Sequence, residues 1–401
     1  MPGVRSVSAP DPDYPSQGFL RPFDPTTTAS VEPNLMHSVL VLGGYGFFGK
    51  RICAALAREP AIKLYIAGRD RSQAAALTAA LDLPNAQAIG IDAHSAAFAG
   101  RLSELGVDTL IHTAGPFQWQ DYAVAKAAIE ARCNYIDIAD GRAFVGGIVN
   151  LDEAARERGV TVVSGASSVP ALSSAVVDRH LPAFRRLDTL RIGIASGART
   201  PGLATMKGIF SYCGKPFARL EQGTWRRTYG WLDLHRHYFP PPVGVRWMGS
   251  CEVPDLDLFP QRYPSLRTVT FHAGFASDMG HLLVWGLSGL VKLGLIRSLI
   301  PAAVSLNRIS HWIEPVVSDK GAMFVNLEGI GSDGQPLQKT WNLLAARNHG
   351  PYIPCGASIA LARKLACGEA LRKGAMPCMG LLDVDEYLAP LCDLDIREVE
   401  G

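Results

Sequence analysis

A short apolar run, Ser38-Val-Leu-Val-Leu, ends in Gly43-Gly-Tyr-Gly-Phe-Phe-Gly49 and passes at once into a helical pattern. Gly44, Gly46 and Gly49 carry the spacing G-x-G-x-x-G between a strand and a helix, the arrangement that holds a dinucleotide pyrophosphate. Gly44 is expected to permit the tight turn, Gly46 to let backbone approach phosphate, and Gly49 to bring helix and strand into contact. Tyr45, Phe47 and Phe48 complete the loop, and the helix N-terminus adds N–H groups and a favourable dipole. The next strand ends at Gly68-Arg69, with Arg71 just behind. An NAD site places an acid there for the ribose hydroxyls. A guanidinium instead pairs a 2′-phosphate and stacks on adenine, which favours NADP over NAD. Asp70 competes with this reading, since a small change of register would aim it at a ribose. Asp92, after the third strand, either bonds the adenine amine or caps the next helix. Thr113, Ala114, Gly115 and Pro116 follow the fourth strand and should border the nicotinamide ribose, with Pro116 stiffening the turn.

Hydride transfer needs positioning and a partner for one proton. Tyr122 and His281 are the candidates for that proton. Tyr122-Ala-Val-Ala-Lys126 matches Y-x-x-x-K, the acid/base pair of short-chain dehydrogenases. That pair belongs on the helix after the fifth strand, whereas here it follows the fourth. The position therefore predicts Tyr122 at a helix start near the cofactor and Lys126 in solvent. His281 has a packed-core role as its alternative. Arg142 and Arg199 are candidates to bind substrate carboxylates. Trp225, Trp231, Tyr238, Trp247 and Trp285 suit an apolar or aromatic substrate equally well.

The elements that must position these residues alternate. Strands are expected at Lys63–Asp70 (with its exit loop), Ala88–Asp92, Val107–Thr113, Asn134–Ile138 and Val160–Ser164, with helices near Arg71–Leu81, Tyr122–Ala131 and Val149–Arg158. Six strand–helix units predict an α/β fold with a Rossmann doubly wound parallel sheet. After Gly165 long strands dominate, as at Leu190–Ile194, Arg267–Phe271 and Met323–Leu327. Gly331-Ser-Asp-Gly-Gln335 turns the last of these into Lys339–Leu344 as a hairpin. A second α+β domain with a mostly antiparallel sheet is expected, supplying the substrate pocket and a face for a homodimer. The expected division is a disordered Pro-rich tail (1–36), a dinucleotide domain (37–165), a substrate and dimerisation domain (166–350), and a C-terminal segment packing back on the first domain (351–401). A start at Met36 instead of Met1 would begin directly on the first strand.

The net charge of +2 gives no footprint for nucleic acid. The eight cysteines are scattered without metal-ligand spacing, which fits reduced thiols in a cytoplasmic protein and no metal site. His235 and His237 read as part of an exposed or packed strand. Leu282–Ile296 is the most apolar stretch, but Lys292, Arg297 and Pro301 argue against a spanning helix. It is expected as a buried helix pair or pocket wall, with peripheral membrane contact as the alternative.

Gly43–Gly49, Ala67-Gly-Arg-Asp70, Ala114-Gly-Pro-Phe117 and Asn134-Tyr-Ile-Asp-Ile-Ala-Asp140 together resemble the saccharopine dehydrogenase-like family. The resemblance continues more weakly through Gly165–Ala171 and Gly350–Pro354. It implies an NADP-binding Rossmann domain, a second domain, and hydride transfer to a C=N or activated double bond of a small molecule. The family commonly has Pro-Gly where this chain has Pro170-Ala171, and often a cysteine on the helix after the A-G-P-F loop, where alanines stand here. Two other readings have sequence features behind them: a non-catalytic NADP-binding or membrane-associated scaffold using Leu282–Ile296, and a short-chain-type dehydrogenase using Tyr122 and Lys126.

Overall fold

Alternate residues of the first strand, β1 (His37–Leu42), enter different cores: Val39 and Val41 one, Leu40 and Leu42 another. A strand that is apolar on both faces belongs inside a parallel sheet covered on both sides. In the computed structural model, which describes residues 36–197, 202–313 and 317–400, it does so. Five further strands follow in sequence: β2 (Ile62–Gly68), β3 (Ala86–Gly90), β4 (Thr109–His112), β5 (Asn134–Asp137) and β6 (Thr161–Ser164). They lie in the order 6-5-4-1-2-3, all parallel. The order reverses between β1 and β4, and a ligand crevice opens beyond the carboxyl ends of strands at such a switch.

The second sheet contains β7 (Phe184–Ala195), β8 (Pro216–Glu221), β9 (Thr224–Tyr229), β10 (His235–Phe239), β11 (Gly244–Ser250), β12 (Thr268–Gly274), β13 (Gly321–Gly331) and β14 (Pro336–Ala345). Every pairing between these strands is antiparallel except that of β12 with β7. β13 and β14 form the expected hairpin across the turn at Ser332–Gln335. The C-terminal segment divides between the sheets. The helix Gly356–Ala366 packs on the helix Gly49–Leu56, and β15 (Gly374–Pro377) joins β6 as a seventh parallel strand. β16 (Ile396–Glu400) instead pairs with β14 of the second sheet.

Local differences have simple causes. The third strand runs two residues earlier than its pattern suggested. The helix expected over Val149–Arg158 divides into a 3-10 turn, Ile148–Leu151, and a helix, Asp152–Glu157. Asp152 accepts a hydrogen bond from the backbone of Ala375 at 2.9 Å, so it serves β15. The stretch at Leu282–Ile296 is not a buried pair. The helix Asp278–Lys292 buries His281, Val284 and Ser288, while Leu282, Leu283, Trp285 and Leu290 stand exposed. The Pro-rich stretch before residue 36 and Arg199 lie outside the described residues.

Candidate functional site

The turn after β1 is set by Gly43, not Gly44. Gly43 has φ +79°, a conformation side chains avoid, whereas Gly44 is not left-handed but lies close to Val41, Ile66 and Cys53. Gly49 plays its expected part: a Cβ there would stand 2.2 Å from the carbonyl oxygen of Gly43. The backbone hydrogen bonds of this turn use the N–H of Gly46 but not those of Phe47, Phe48 or Gly49. A phosphate bound at the start of the helix would complete them. The loop is held from behind by Arg51, which donates to the carbonyl of Phe47 and lies 4.4 Å from its ring centroid.

At the end of β2 the acid is engaged as a helix cap. Asp70 accepts from the backbone N–H groups of Ser72 (2.9 Å) and Gln73 (3.3 Å), and from both their side chains. These bonds lower its pKa to about 2 and fix the carboxylate on the helix Arg71–Leu81. Arg69 and Arg71 stay exposed. The Tyr45 ring packs against Gly68, where any Cβ would meet it at 2.5 Å, and its hydroxyl accepts from the N–H of Asp70 at 3.1 Å. Asp92 accepts from the N–H of His94 at 3.0 Å and so shapes its own turn.

The loop after β4 is pinned at both ends. Thr113 Oγ1 donates to the Leu42 carbonyl at 2.9 Å, and Gln120 Nε2 donates to the Ala114 carbonyl at 2.7 Å. Beneath it, buried Asp137 accepts from Ala139 N (2.9 Å), Gly165 N (2.8 Å) and Ser164 Oγ (3.0 Å), tying the exits of β5 and β6 together. Burial still raises its pKa to about 6.

These exits open into a cavity of about 300 Å³ between the two domains. Phe47, Phe48 and the loop Gly115–Gln118 form its first-domain side. The carboxyl ends of β7 and β12, the start of β13, and Trp231 and Phe275 form the other. The lining is mostly apolar. Its charged members among the described residues are the acids Asp140, Glu252 and Asp319, with no Lys, Arg or His. Asp140 accepts from Gln118 Nε2 at 3.0 Å, and desolvation raises its pKa. Desolvation also raises that of Glu252, against the opposing pull of Arg142, whose Nη1 is 3.8 Å away. Tyr212 and Cys251 stand beside them on the same wall.

Tyr122, His281 and Arg142 lie outside the cavity lining. Tyr122 is outside the lining and donates its hydroxyl to the Phe144 carbonyl at 2.7 Å. Lys126 is exposed, as expected. His281 is buried behind the wall, with its ring centroid 5.5 Å from that of Trp231. Burial lowers its pKa to about 4, so the ring is neutral. Arg142 donates to Asp257 Oδ2 (2.6 Å) and to the Ala218 carbonyl (2.7 Å), joining the two domains instead of facing the cavity. Sequence reasoning missed Gln118, Tyr212, Cys251 and Glu252. Asp140 closes the Asn134–Asp140 motif, but the other four carry no local signal.

A dinucleotide crevice at a switch point, with a half-open cavity between it and a second domain, defines an NAD(P)-dependent oxidoreductase. Residues 39–163 match the family model described as saccharopine dehydrogenase NADP binding domain. That stretch is thus similar to a saccharopine dehydrogenase-type NADP-binding domain. No curated protein matches the chain in sequence. Among solved structures, it is similar to the apo histidine-tagged saccharopine dehydrogenase (L-Glu forming) from Saccharomyces cerevisiae, with 14% identity and a TM-score of 0.63 over 91% of this chain and 100% of that one. That likeness is one of fold. Amine dehydrogenase from Mycobacterium smegmatis aligns with 9% identity and a TM-score of 0.46, over 86% of this chain and 94% of that one. A meso-dapdh mutant from Clostridium tetani aligns with 13% identity and a TM-score of 0.43, over 87% and 95%.

Proposed function

We propose that this protein reduces the C=N bond of a small, mostly apolar imine, or oxidises the corresponding amine in reverse. The observation that carries this reading is the cavity lining: apolar walls whose charged members, among the described residues, are all acids. Carboxylates favour a developing iminium cation and disfavour a substrate bearing several carboxylates. NADPH, held by Gly43–Gly49 with its 2′-phosphate toward Arg69 and Arg71, supplies the hydride when bound. Thr113–Pro116 would border its nicotinamide end. Asp140 is the proton donor in this reading. Asp140 is open to the cavity by accessible surface, desolvation there shifts its pKa upward, and Gln118 holds the carboxyl in place. The imine carbon gains the hydride, its nitrogen gains the proton of Asp140, and solvent reprotonates the carboxylate.

The test follows NADPH oxidation with a panel of apolar cyclic imines, enones and dicarboxylic amino-acid imines. Turnover of the apolar imines is expected. Turnover confined to dicarboxylates would overturn the substrate class, and tight NADPH binding without turnover of any member would favour a scaffold.

A further inference from the structure

The helix Asp278–Lys292 places polarity where a water-facing helix does not. Its buried face carries His281, Val284 and Ser288 at helical spacing. The opposite face carries Met279, Leu282, Leu283, Gly286, Leu290 and, just past the helix, Leu293. These positions recur at intervals of three and four and form one stripe. Met279 and Leu293 are each 73% exposed, Leu295 69% and Leu283 50%. Nothing approaches within 4 Å of where a Cβ would stand on Gly286, Gly289 or Gly294, so no part of the described chain covers this side. Surface helices normally set charge there, and a patch of this kind marks a binding surface.

Charge surrounds the stripe instead of entering it. Lys292 closes the helix, with its ammonium 4.4 Å from the ring centroid of Tyr229, and exposed Arg297 follows Leu295. Neither makes an ion pair within the described residues. Arg226 and Arg227 stand exposed on β9, the strand that ends at Tyr229. The acid of this helix, Asp278, lies at the other end, in the first turn. Exposed Trp285 flanks the stripe. An apolar face, an indole at its flank and cations at its end are the parts of a helix that lies in a lipid headgroup layer. Fifteen residues make it about 22 Å long, and no helix among the described residues is long and apolar enough to cross a bilayer.

We infer that the helix Asp278–Lys292, with its extension to Arg297, docks this protein on the surface of an anionic phospholipid membrane. The stripe enters the interface while Lys292 and Arg297 meet lipid phosphates. This rests on the surface alone and is independent of the chemistry in the cavity.

The test sediments the full-length protein with vesicles of phosphatidylcholine and phosphatidylserine. The wild type should pellet with them. Leu283→Glu with Leu290→Glu should cut the bound fraction about tenfold or more, with NADPH affinity unchanged as the check of folding. Lys292→Glu with Arg297→Glu should weaken binding about threefold or more. Without any variant, brominated lipid should quench the wild-type tryptophan emission through Trp285. A wild type that stays in the supernatant overturns the inference, as does equal pelleting of the Leu283/Leu290 variant. A dimer in light scattering that this variant dissociates, with no vesicle binding, would assign the stripe to a second copy of the chain.

Discussion

Tyr212 and Cys251 meet on the cavity wall with phenol oxygen and thiol sulfur 2.9 Å apart. Tyr212 ends the helix Leu203–Tyr212 and Cys251 directly follows β11, so the contact locks two otherwise separate elements. Burial pushes the Cys251 thiol up to about 12 and the phenol well above its ordinary value. Asp140 adds a like-charge penalty to both. Both groups are therefore neutral at physiological pH, and Cys251 is a hydrogen-bonding wall residue and not a nucleophile. Iodoacetamide at neutral pH should label the exposed Cys367 and Cys392 and leave Cys251 unmodified until the chain is unfolded, as read by peptide mass spectrometry.

Asp140→Asn keeps the shape of the site and its bond to Gln118 but removes the exchangeable proton. Turnover of an apolar imine should fall about 100-fold or more, the usual contribution of a general acid, with NADPH affinity nearly unchanged. Equal loss of cofactor binding, measured by fluorescence titration, would make Asp140 a structural residue.

Arg69→Ala should raise the Kd for NADPH about tenfold or more, the worth of a charge-assisted hydrogen bond, and that for NADH far less. Asp70 is occupied as a helix cap and offers no acid in compensation. Equal losses for the two cofactors would show that Arg69 does not meet the 2′-phosphate.

Arg142→Ala removes a guanidinium shared by Asp257, Glu252 and the Ala218 carbonyl. The expected loss in urea unfolding is about 2 kcal/mol. Substrate KM should change little if this residue serves the domain contact, whereas a large KM effect without destabilisation would return it to the substrate.

Asp255 is buried, accepts from Ser173 Oγ, and has its pKa raised to about 7 by desolvation. The folded state thus holds its proton to higher pH than the unfolded chain does. This contribution is present in full below the unfolded value, near pH 4, and declines as pH rises to about 7. Asp255→Asn should flatten that part of the stability profile, gaining on the wild type as pH rises. A parallel pair of curves in denaturant titrations would contradict the assignment.

The phosphate turn was legible in the sequence because all of its determinants lie within seven consecutive residues, and local sterics require glycine there. Even so, the pattern assigned the turn to Gly44 when Gly43 carries it, since composition alone does not report φ. The ambiguity between Asp70 and Arg69 was visible as well, but the cap that engages Asp70 was not. The cavity was another matter. Gln118, Asp140, Tyr212 and Glu252 converge only after both sheets have formed, and nothing near Tyr212 marks it as more than the last turn of a helix. Tyr122 illustrates the converse: a familiar spacing with Lys126, yet a hydroxyl committed to the Phe144 carbonyl. β15 was overlooked because four residues ending in proline make a weak strand pattern, and partnership with β6 is what holds them.

That last strand gives synthesis of the chain an unusual order. Thr161 reaches the carbonyl of Arg372, 211 residues downstream, just before β15 takes its place. As the polypeptide leaves the ribosome, β1 to β6 of the cofactor sheet emerge before the second sheet, yet β15 joins them only after most of that sheet is made. The β6 margin stays open while the whole second sheet except β16 is made. The domain that looks like an independent module is therefore sealed by the segment that also carries the C-terminus back to the other sheet.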